Sequence, residues 1–383
     1  MKKSPSGRYI TNTVAGESVR AFVPNPLPPR LPARLIAELE KPLRRAESAL
    51  AKLELVGEMI PSLNWFIYAF VRKEALLSSE IEGTQTTLVD VLTYENTEQL
   101  AASAFEDIEE VANYVAAINH AFSQLGSARG LPVSARLLNN CHGILMVGAR
   151  GAHKQPGAIR RSQTWIGGTR PGNAVFVPPP PEHIDDLIAD LETYIHNPDD
   201  LPALLRVAIA HVQFETIHPY LDGNGRLGRM LIAMLLTQWG LLSSPLLYLS
   251  VYLKAHQKQY YDCLSAVRLS SDWGRWFAFF LTGIEEVAND AISTAQALYR
   301  RISADRTTLL AASGTTVTAL QLVEHLPEHP VVSMPAVTTL LQTTKPTAGK
   351  AIEHLVLVGI LREIGKRKRD RIFAYQRYLD ELA

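Results

Sequence analysis

Residues 211–230, HVQFETIHPYLDGNGRLGRM, decide how this sequence folds and what it can do. Helical periodicity flanks the stretch, with one helix predicted over about 202–217 and a second from about Arg226 to Trp239. Between them a His-Pro pair, an aspartate, three glycines and two arginines fall within twelve residues. A loop that only turns the chain needs one glycine or asparagine. The composition therefore indicates a functional site between two helices.

Three interpretations of the stretch compete with a phosphate site. The glycines at 223–228 fit the G-x-G-x-x-G dinucleotide fingerprint, but that fingerprint needs a preceding strand, and here a helix precedes it. His211, Glu215 and His218 share one helix face and could bind a metal ion. The loop could also be a plain helix-loop-helix turn with surface arginines.

The phosphate interpretation uses all of the residues together. Gly223 and Gly225 permit backbone conformations that turn successive N–H groups inward at a helix N-terminus, which makes an anion site. Arg226 and Arg229 share a helix face and can bind the same polyanion. Asp222 beside such a site predicts an intervening Mg²⁺ ion.

His218 lies across the loop, where it can act as a base. The motif HPYLDGNGRLGR, residues 218–229, closely resembles the signature His-Pro-Phe-x-Asp-Gly-Asn-Gly-Arg-x-x-Arg of Fic-domain proteins, with Tyr220 in place of the usual Phe. The resemblance implies transfer of AMP from ATP to a Ser, Thr or Tyr hydroxyl of a target protein. It makes His218 the catalytic base and Asp222 the Mg²⁺ ligand, and it assigns nucleotide binding to Gly223, Asn224, Gly225, Arg226, Gly228 and Arg229.

Two further stretches extend the resemblance. The segment 163–177 has apolar ends around a Gly- and Pro-rich centre, which predicts a β-hairpin. With RSQTWIG at 161–167 it resembles the flap that holds a target segment by strand addition, and this resemblance places Trp165 and Ile166 at the nucleotide site. Tyr260 and Tyr261 resemble the paired tyrosines that follow the core motif and help to enclose the base, while aromatic core packing remains the alternative.

The stretch SSEIEGT, residues 78–84, indicates an internal restraint. Glu82 ends a predicted helix just before Gly83, where the helix dipole disfavours an anion, so an arginine partner is expected. Ser78-x-x-x-Glu82-Gly83 resembles the inhibitory motif of Fic proteins, in which the glutamate pairs with the second motif arginine, here Arg229. An ordinary solvated helix-end glutamate is the alternative.

The C-terminal part predicts a winged helix-turn-helix. Three short helices are expected over 317–326, 334–342 and 344–358, followed by a hairpin over 361–375 with a basic turn. Such a module over 315–383 could bind DNA phosphates or, equally, another protein.

Composition narrows the class of protein. Lys plus Arg and Asp plus Glu both total 38, so no net charge directs the chain to nucleic acid or a membrane surface. Two cysteines are too few for a disulfide framework, and no window suits a membrane span. These features predict a cytoplasmic protein without membrane contact.

The sequence thus predicts a mainly α fold: an N-terminal arm and inhibitory helix (1–100), a helical Fic core with a β-hairpin flap (101–300) and a winged helix-turn-helix domain (312–383). The expected activity is protein adenylylation with ATP and Mg²⁺, restrained by Glu82. Removal of AMP, transfer of another phosphorylated group, and a DNA-binding regulator with a nucleotide-sensing core remain alternatives. Self-modification and a homodimer are further expectations.

Overall fold

The structure is a computed structural model that describes residues 6–59, 63–97, 105–148, 152–197, 199–364 and 371–382. Helices dominate these ranges, which confirms the predicted mainly α class. They are α1 (Ala33–Met59), α2 (Leu63–Ile81), α3 (Leu88–Thr97), α4 (Phe105–Leu125), α5 (Ala135–Leu145), α6 (Ile184–His196), α7 (Ala203–Ile217), α8 (Asn224–Gln238), α9 (Ser250–Ala255), α10 (Gln257–Ser270), α11 (Trp273–Ala311), α12 (Val317–His325), α13 (Met334–Leu340), α14 (Lys345–Leu357) and α15 (Gln376–Leu382). The strands are β1 (Gly7–Val14), β2 (Glu17–Pro24), β3 (Val331–Ser333), β4 (Arg362–Ile364) and β5 (Ile372–Ala374).

The two helices around the opening motif form the centre of the core. Of α7, every residue from Val207 to Ile217 is buried, because the helix is apolar on most of its faces and is enclosed by neighbours. It packs against α8, the next helix in the chain, and against α6. The loop between α7 and α8 is therefore held by two buried helices, which gives a rigid base for a site.

The helix carrying the restraint motif ends as predicted. α2 stops at Ile81, and Gly83 follows with φ +102°, a conformation that favours glycine. α2 packs against α4, α8 and α9. Its C-terminal end is thereby brought to the start of α8.

An N-terminal β-hairpin was not predicted. β1 and β2 pair antiparallel from Gly7↔Pro24 to Val14↔Glu17, around a turn in which Ala15 and Gly16 both have positive φ. Before the C-terminal part, the sequence predicted a β-hairpin only at 163–177, which was wrong. The signal for the hairpin was the alternation in RYITNTV and ESVRAFV around Ala-Gly, since such a turn matches the twist of a two-stranded ribbon.

The predicted β-hairpin at 163–177 is reduced to one antiparallel bridge, Ile166↔Phe176. Between these residues the chain folds into a short 3₁₀ turn at Pro171–Asn173, and the Asn173 side chain accepts hydrogen bonds from the N–H groups of Thr169 and Arg170. Those amides are thus satisfied within the loop and do not extend a strand ladder. We call residues 163–177 the flap.

The N-terminal hairpin supports the flap from one side. The Phe22 N–H donates to the Val177 carbonyl at 2.9 Å, and Arg170 contacts Glu17 at 2.5 Å. The flap is therefore a layer on β2 and not a free-standing ribbon.

The C-terminal elements follow the predicted winged-helix order. α12, α13 and α14 lie close to the predicted bounds, and β3, β5 and β4 form a three-stranded antiparallel sheet in that order. The basic turn predicted at 366–371 falls almost wholly outside the described residues. The predicted boundary near 311–316 coincides with the end of α11 at Ala311, and the division into domains remains a prediction.

The ranges that the structure describes hold no helix with both the length and the apolarity to cross a membrane. Cys141 and Cys263 are both buried and unpaired.

Candidate active site

The site begins where α7 ends. His218 is the C-cap of α7 and has the left-handed conformation φ 51°, ψ 61°, while Gly223 has φ 76° as the N-cap of α8. Two left-handed residues five positions apart reverse the chain between two helices. A non-glycine residue in this conformation is strained and is typically retained at functional sites.

Tyr220 and Asn224 brace the loop from inside. The Asn224 side chain accepts a hydrogen bond from the Tyr220 N–H and donates to the Tyr220 carbonyl, each at 2.9 Å. The Tyr220 hydroxyl donates to Asn139 at 2.7 Å, and its ring stacks on His142 at 3.9 Å. Tyrosine thus fits where the family signature has phenylalanine, because its hydroxyl has a partner in the half-buried Asn139 side chain.

His218 is held as a neutral imidazole. Burial, followed by the nearby charges of Arg160 and Arg268, lowers the pKa of His218 to about 3. Its Nδ1 is buried without a hydrogen-bond partner within the described residues. A neutral imidazole at pH 7 can accept a proton, which is what a general base requires.

The N-terminus of α8 and Asp222 are the groups beside the loop whose chemistry suits an anion and a cation, respectively. The first-turn N–H groups of a helix lack intrahelical partners and favour anions. Asp222 accepts the Gly223 N–H at 2.6 Å, and half of its side chain is exposed. No cluster of three His, Cys, Asp or Glu that could hold a metal occurs among the described residues. One accessible carboxylate fits Mg²⁺, which is often bound by one or two carboxylates together with substrate phosphates.

Arg229 is hydrogen-bonded to Ser78 and Glu82 of the restraint motif, residues 78–84. It donates from Nη2 to Glu82 at 2.7 Å and to the Ser78 carbonyl at 2.8 Å, and from Nε to the Ser78 hydroxyl at 2.8 Å. Burial alone would lower the pKa of Arg229, but the Glu82 carboxylate raises it above its ordinary value. A Cβ at Gly225 would collide with the Glu82 carboxylate, so this glycine lets the ion pair form over α8. Ser78 and Glu82 therefore meet Arg229, which is distant from them in the sequence, in one contact.

Arg226 has a different acidic partner. It pairs with Glu110 of α4, and its Nη2 lies 4.0 Å from Asp222. The Glu110 carboxylate also accepts a hydrogen bond from the Thr84 hydroxyl at 2.9 Å. Both motif arginines are thus paired with carboxylates beside the segment that follows α2.

The residues that the resemblance assigns to the nucleotide base differ in their exposure to solvent. Trp165 is exposed and Ile166 partly exposed at the flap. Tyr260 is fully buried and its hydroxyl bonds His211 at 2.9 Å, whereas the neighbouring Tyr261 is 43% exposed. The packing alternative for Tyr260 is therefore the one observed.

The competing interpretations of the motif do not fit the structure. The glycines follow helix α7 and not a strand, which excludes the dinucleotide fingerprint. Both nitrogens of His211 are engaged, by the Gly228 carbonyl and by Tyr260, and burial lowers its pKa to about 3. Burial raises the pKa of Glu215 to about 7, and Arg229 opposes the rise.

Sequence reasoning missed Arg160, Arg268, Glu110 and Thr84. Arg268 donates to the Thr216 hydroxyl and the Glu215 carbonyl, both at 3.2 Å, and lies 4.0 Å from the Phe176 ring centroid. Its helix position carried no signal, because a buried arginine on an amphipathic helix cannot be distinguished by pattern from a solvated one.

The fold and the loop define a helical domain with a glycine-rich turn between two buried helices. Comparison with known families gives its identity: residues 132–236 match the Fic/DOC family model, and residues 40–123 match the Fic/DOC family N-terminal model. The chain therefore carries a Fic domain together with its N-terminal region. The resemblance drawn from HPYLDGNGRLGR is confirmed.

The sequence is also similar to individual proteins. The probable protein adenylyltransferase aq_aa38 of Aquifex aeolicus (strain VF5) is 36% identical over 88 residues, 23% of this chain and 26% of that protein. Protein adenylyltransferase Fic of Aedes aegypti is 33% identical over 111 residues, 28% and 19% respectively. The matched regions thus span about a quarter or less of these relatives' lengths.

Solved structures match the fold more widely. A Fic family protein from Desulfovibrio desulfuricans G20 superposes with a TM-score of 0.57 at 20% identity, covering 91% of this chain and 98% of that one. A fragment of Fic-1 from C. elegans gives 0.53 at 19% identity, with coverages of 69% and 74%.

Proposed function

We propose that this protein transfers AMP from ATP to a Ser, Thr or Tyr hydroxyl of a target protein. The observation that carries the proposal is the meeting of a neutral His218, the accessible Asp222 carboxylate and the arginines 226 and 229 at the N-terminus of α8. The curated relatives named above are described as protein adenylyltransferases, which supports the same reaction class.

The residues support an in-line displacement. An imidazole nitrogen of His218 takes the proton of the target hydroxyl as its oxygen forms a bond to the α-phosphorus of ATP. The bond from that phosphorus to the bridging oxygen breaks, and pyrophosphate leaves. The α8 amides, of residues 223–225, and the two arginines bind the phosphates. A Mg²⁺ ion at Asp222 would neutralise phosphate charge.

The proposal refines two of the roles that the family resemblance implies. The Asn224 side chain is engaged with Tyr220 on both its donor and acceptor groups, so the residue contributes to phosphate binding through its N–H. Tyr261 is the exposed ring of the tyrosine pair, and together with Trp165 and Ile166 it is our candidate for contact with the base.

The ion pair between Glu82 and Arg229 supports a restrained enzyme. While Arg229 donates from Nη2 to Glu82, that N–H is not available to a γ-phosphate, and the Glu82 carboxylate also repels the phosphate. ATP then lacks a contact that aligns the leaving group, and alignment is a large part of phosphoryl-transfer catalysis.

The test is covalent labelling. The protein is incubated with Mg²⁺ and labelled ATP, UTP or GTP, and label is sought on itself and on added proteins. We expect label from ATP, lowered about 10²–10⁴-fold by His218→Ala, which removes the base. His325→Ala, at an exposed histidine of α12, is the matched control. Full labelling by His218→Ala refutes the mechanism, and label from UTP or GTP alone refutes adenylylation in favour of another nucleotide.

A second function is favoured by the C-terminal elements. Lys345 and Lys350 are exposed on α14, the helix that follows the turn after α13. We propose that residues 315–383 bind duplex DNA phosphates. Lys345→Ala with Lys350→Ala should lower the salt dependence of duplex binding by about 2 in log–log slope, whereas Lys258→Ala in α10 should not. An absence of duplex affinity at low salt makes the module a protein contact.

A homodimer, self-modification and a cytoplasmic location remain predictions. The two unpaired buried thiols support a reducing compartment.

A further inference from the structure

Arg160 is a buried cation whose side chain, within the described residues, hydrogen-bonds only main-chain carbonyls. Its side chain is 1% exposed. It donates from Nε to the His218 carbonyl at 2.8 Å, from Nη1 to Ser162 at 2.9 Å and from Nη2 to Pro179 at 2.7 Å. Within the described residues no carboxylate lies at ion-pair distance from it. The hydrogen bonds must therefore compensate for the burial of the charge.

The acceptors belong to two functional segments. Ser162 and Pro179 flank the flap, one just before it and one just after it. His218 is the proposed base, and the Arg160 N–H also donates to the carbonyl of Pro219 at 2.9 Å. One residue thus joins both ends of the flap to the His-Pro step.

We propose that Arg160 is a positioning residue that fixes the flap relative to His218, so that a target segment held at the flap meets the base in one register. This inference rests on the proposed transferase function, since the register matters only if the flap holds a target. The contacts themselves do not depend on that function.

Only arginine can make this set of contacts. Its planar guanidinium presents a rigid fork of donors to several acceptors, while a lysine ammonium is a compact point charge on a flexible stem. Burial lowers the pKa of Arg160 to about 10, so it stays protonated at neutral pH. Its charge beside His218 also favours the neutral imidazole. Arg160→Lys keeps the charge and loses the fork, which isolates the positioning role.

The matched control is Arg206→Lys. Arg206, near the start of α7, also donates to main-chain carbonyls, of Tyr194 at 2.9 Å and Asn197 at 2.7 Å. It lies twelve residues before His218 on the same helix, about 18 Å away at 1.5 Å per residue. Both variants are made in the full chain carrying Glu82→Gly, so that transfer is measured without the restraint.

Two readouts are taken. Hydrogen exchange should rise together in peptides covering the flap and residues 214–221 in Arg160→Lys, by about tenfold or more, and stay unchanged there in Arg206→Lys. The kcat for transfer to a target should fall about 10–100-fold in Arg160→Lys with the ATP dissociation constant within about twofold. If Arg160→Lys does not fold, hydrogen exchange is measured in the parent protein over a denaturant series instead. The proposal then requires the same two peptides to open as one unit.

Unchanged exchange in the two peptides, or their independent opening in the parent protein, overturns the proposal. Transfer by Arg160→Lys equal to that of Arg206→Lys overturns it as well. Failure of the transferase function would show instead as an absence of label from the Glu82→Gly parent, and hydrogen exchange would still decide the role of Arg160.

Discussion

Gly228 is the residue at which a single methyl group should be least tolerated in the motif. A Cβ there would collide with the Glu215 carboxylate and lie 3.2 Å from Phe214, inside a buried helix pair. Gly228→Ala should therefore lower the free energy of unfolding by about 1–3 kcal/mol in chemical denaturation. Gly349→Ala in α14 is the control, because its Cβ would meet only Met334 of α13, at 3.5 Å. This change should raise the free energy of unfolding by up to about 1 kcal/mol. Equal effects of the two changes would contradict this packing.

The pKa of His218 gives a second prediction at the same scale. Because that pKa is lowered to about 3, the imidazole stays neutral as pH falls from 8 towards 4, and the kcat of the Glu82→Gly protein should show no acid limb near pH 6.5. Glu215, whose pKa is raised to about 7, titrates nearby, so the profile is measured in Glu215→Gln as well. An acid limb near pH 6.5 that persists in Glu215→Gln would contradict a neutral, low-pKa His218.

How far the residues could be predicted depended on whether their contacts are local. The sequence spacing located His218, Asp222 and the motif arginines. An anion at a helix end predicted an arginine partner for Glu82, and the family resemblance identified that partner as Arg229. The hydrogen bonds of the Asn224 side chain to the Tyr220 main chain could not be predicted, and core packing of Tyr260 was only one of two alternatives, because both depend on partners set by packing.

At the scale of elements, periodicity predicted the long helices well and the strands poorly. α2, α4, α6, α7 and α8 each have an apolar face or run that fixes their register. The segment 163–177 has strand-like ends, but local side-chain hydrogen bonds replace its ladder. β1 and β2 were missed because an Ala-Gly turn is a weaker signal than Asn-Gly.

The support of the flap by the hairpin can be tested at Phe22. Its side chain is 1% exposed, its ring lies 6.3 Å from that of Phe176, and its N–H bonds Val177. Phe22→Ala should loosen the flap, so chymotrypsin should cleave after the exposed Trp165 about tenfold faster. Val175→Ala, at a flap side chain that is 80% exposed, is the control and should cleave at the parent rate. Equal rates in the two variants would show that the hairpin does not hold the flap.

On the scale of the whole molecule, α2 joins three parts of the chain. Its start contacts the C-terminal elements, through the Tyr68 ring 6.2 Å from His329 and through Lys73, which donates to the Leu382 carbonyl at 2.6 Å. Its middle contains Glu74, which accepts hydrogen bonds from Tyr114 and Ser250. Near its C-terminal end, Ser78 accepts hydrogen bonds from Arg229 of α8. A helix with so many buried contacts keeps the restraint in place as part of the fold and not as a loose segment.

The central claim is that Glu82 restrains AMP transfer through Arg229. Auto-labelling with ATP and Mg²⁺ tests it most directly. The assay compares the parent protein with Glu82→Gly, Arg229→Ala and the double variant. Glu82→Gly leaves Arg229 held by the two Ser78 oxygens, so the arginine stays folded in place while the competing carboxylate is removed. Labelling should therefore rise by about two orders of magnitude or more in Glu82→Gly and return close to the parent level in the double variant, because both changes act on one contact. Equal labelling by the parent and Glu82→Gly, or a gain that survives Arg229→Ala, would contradict it.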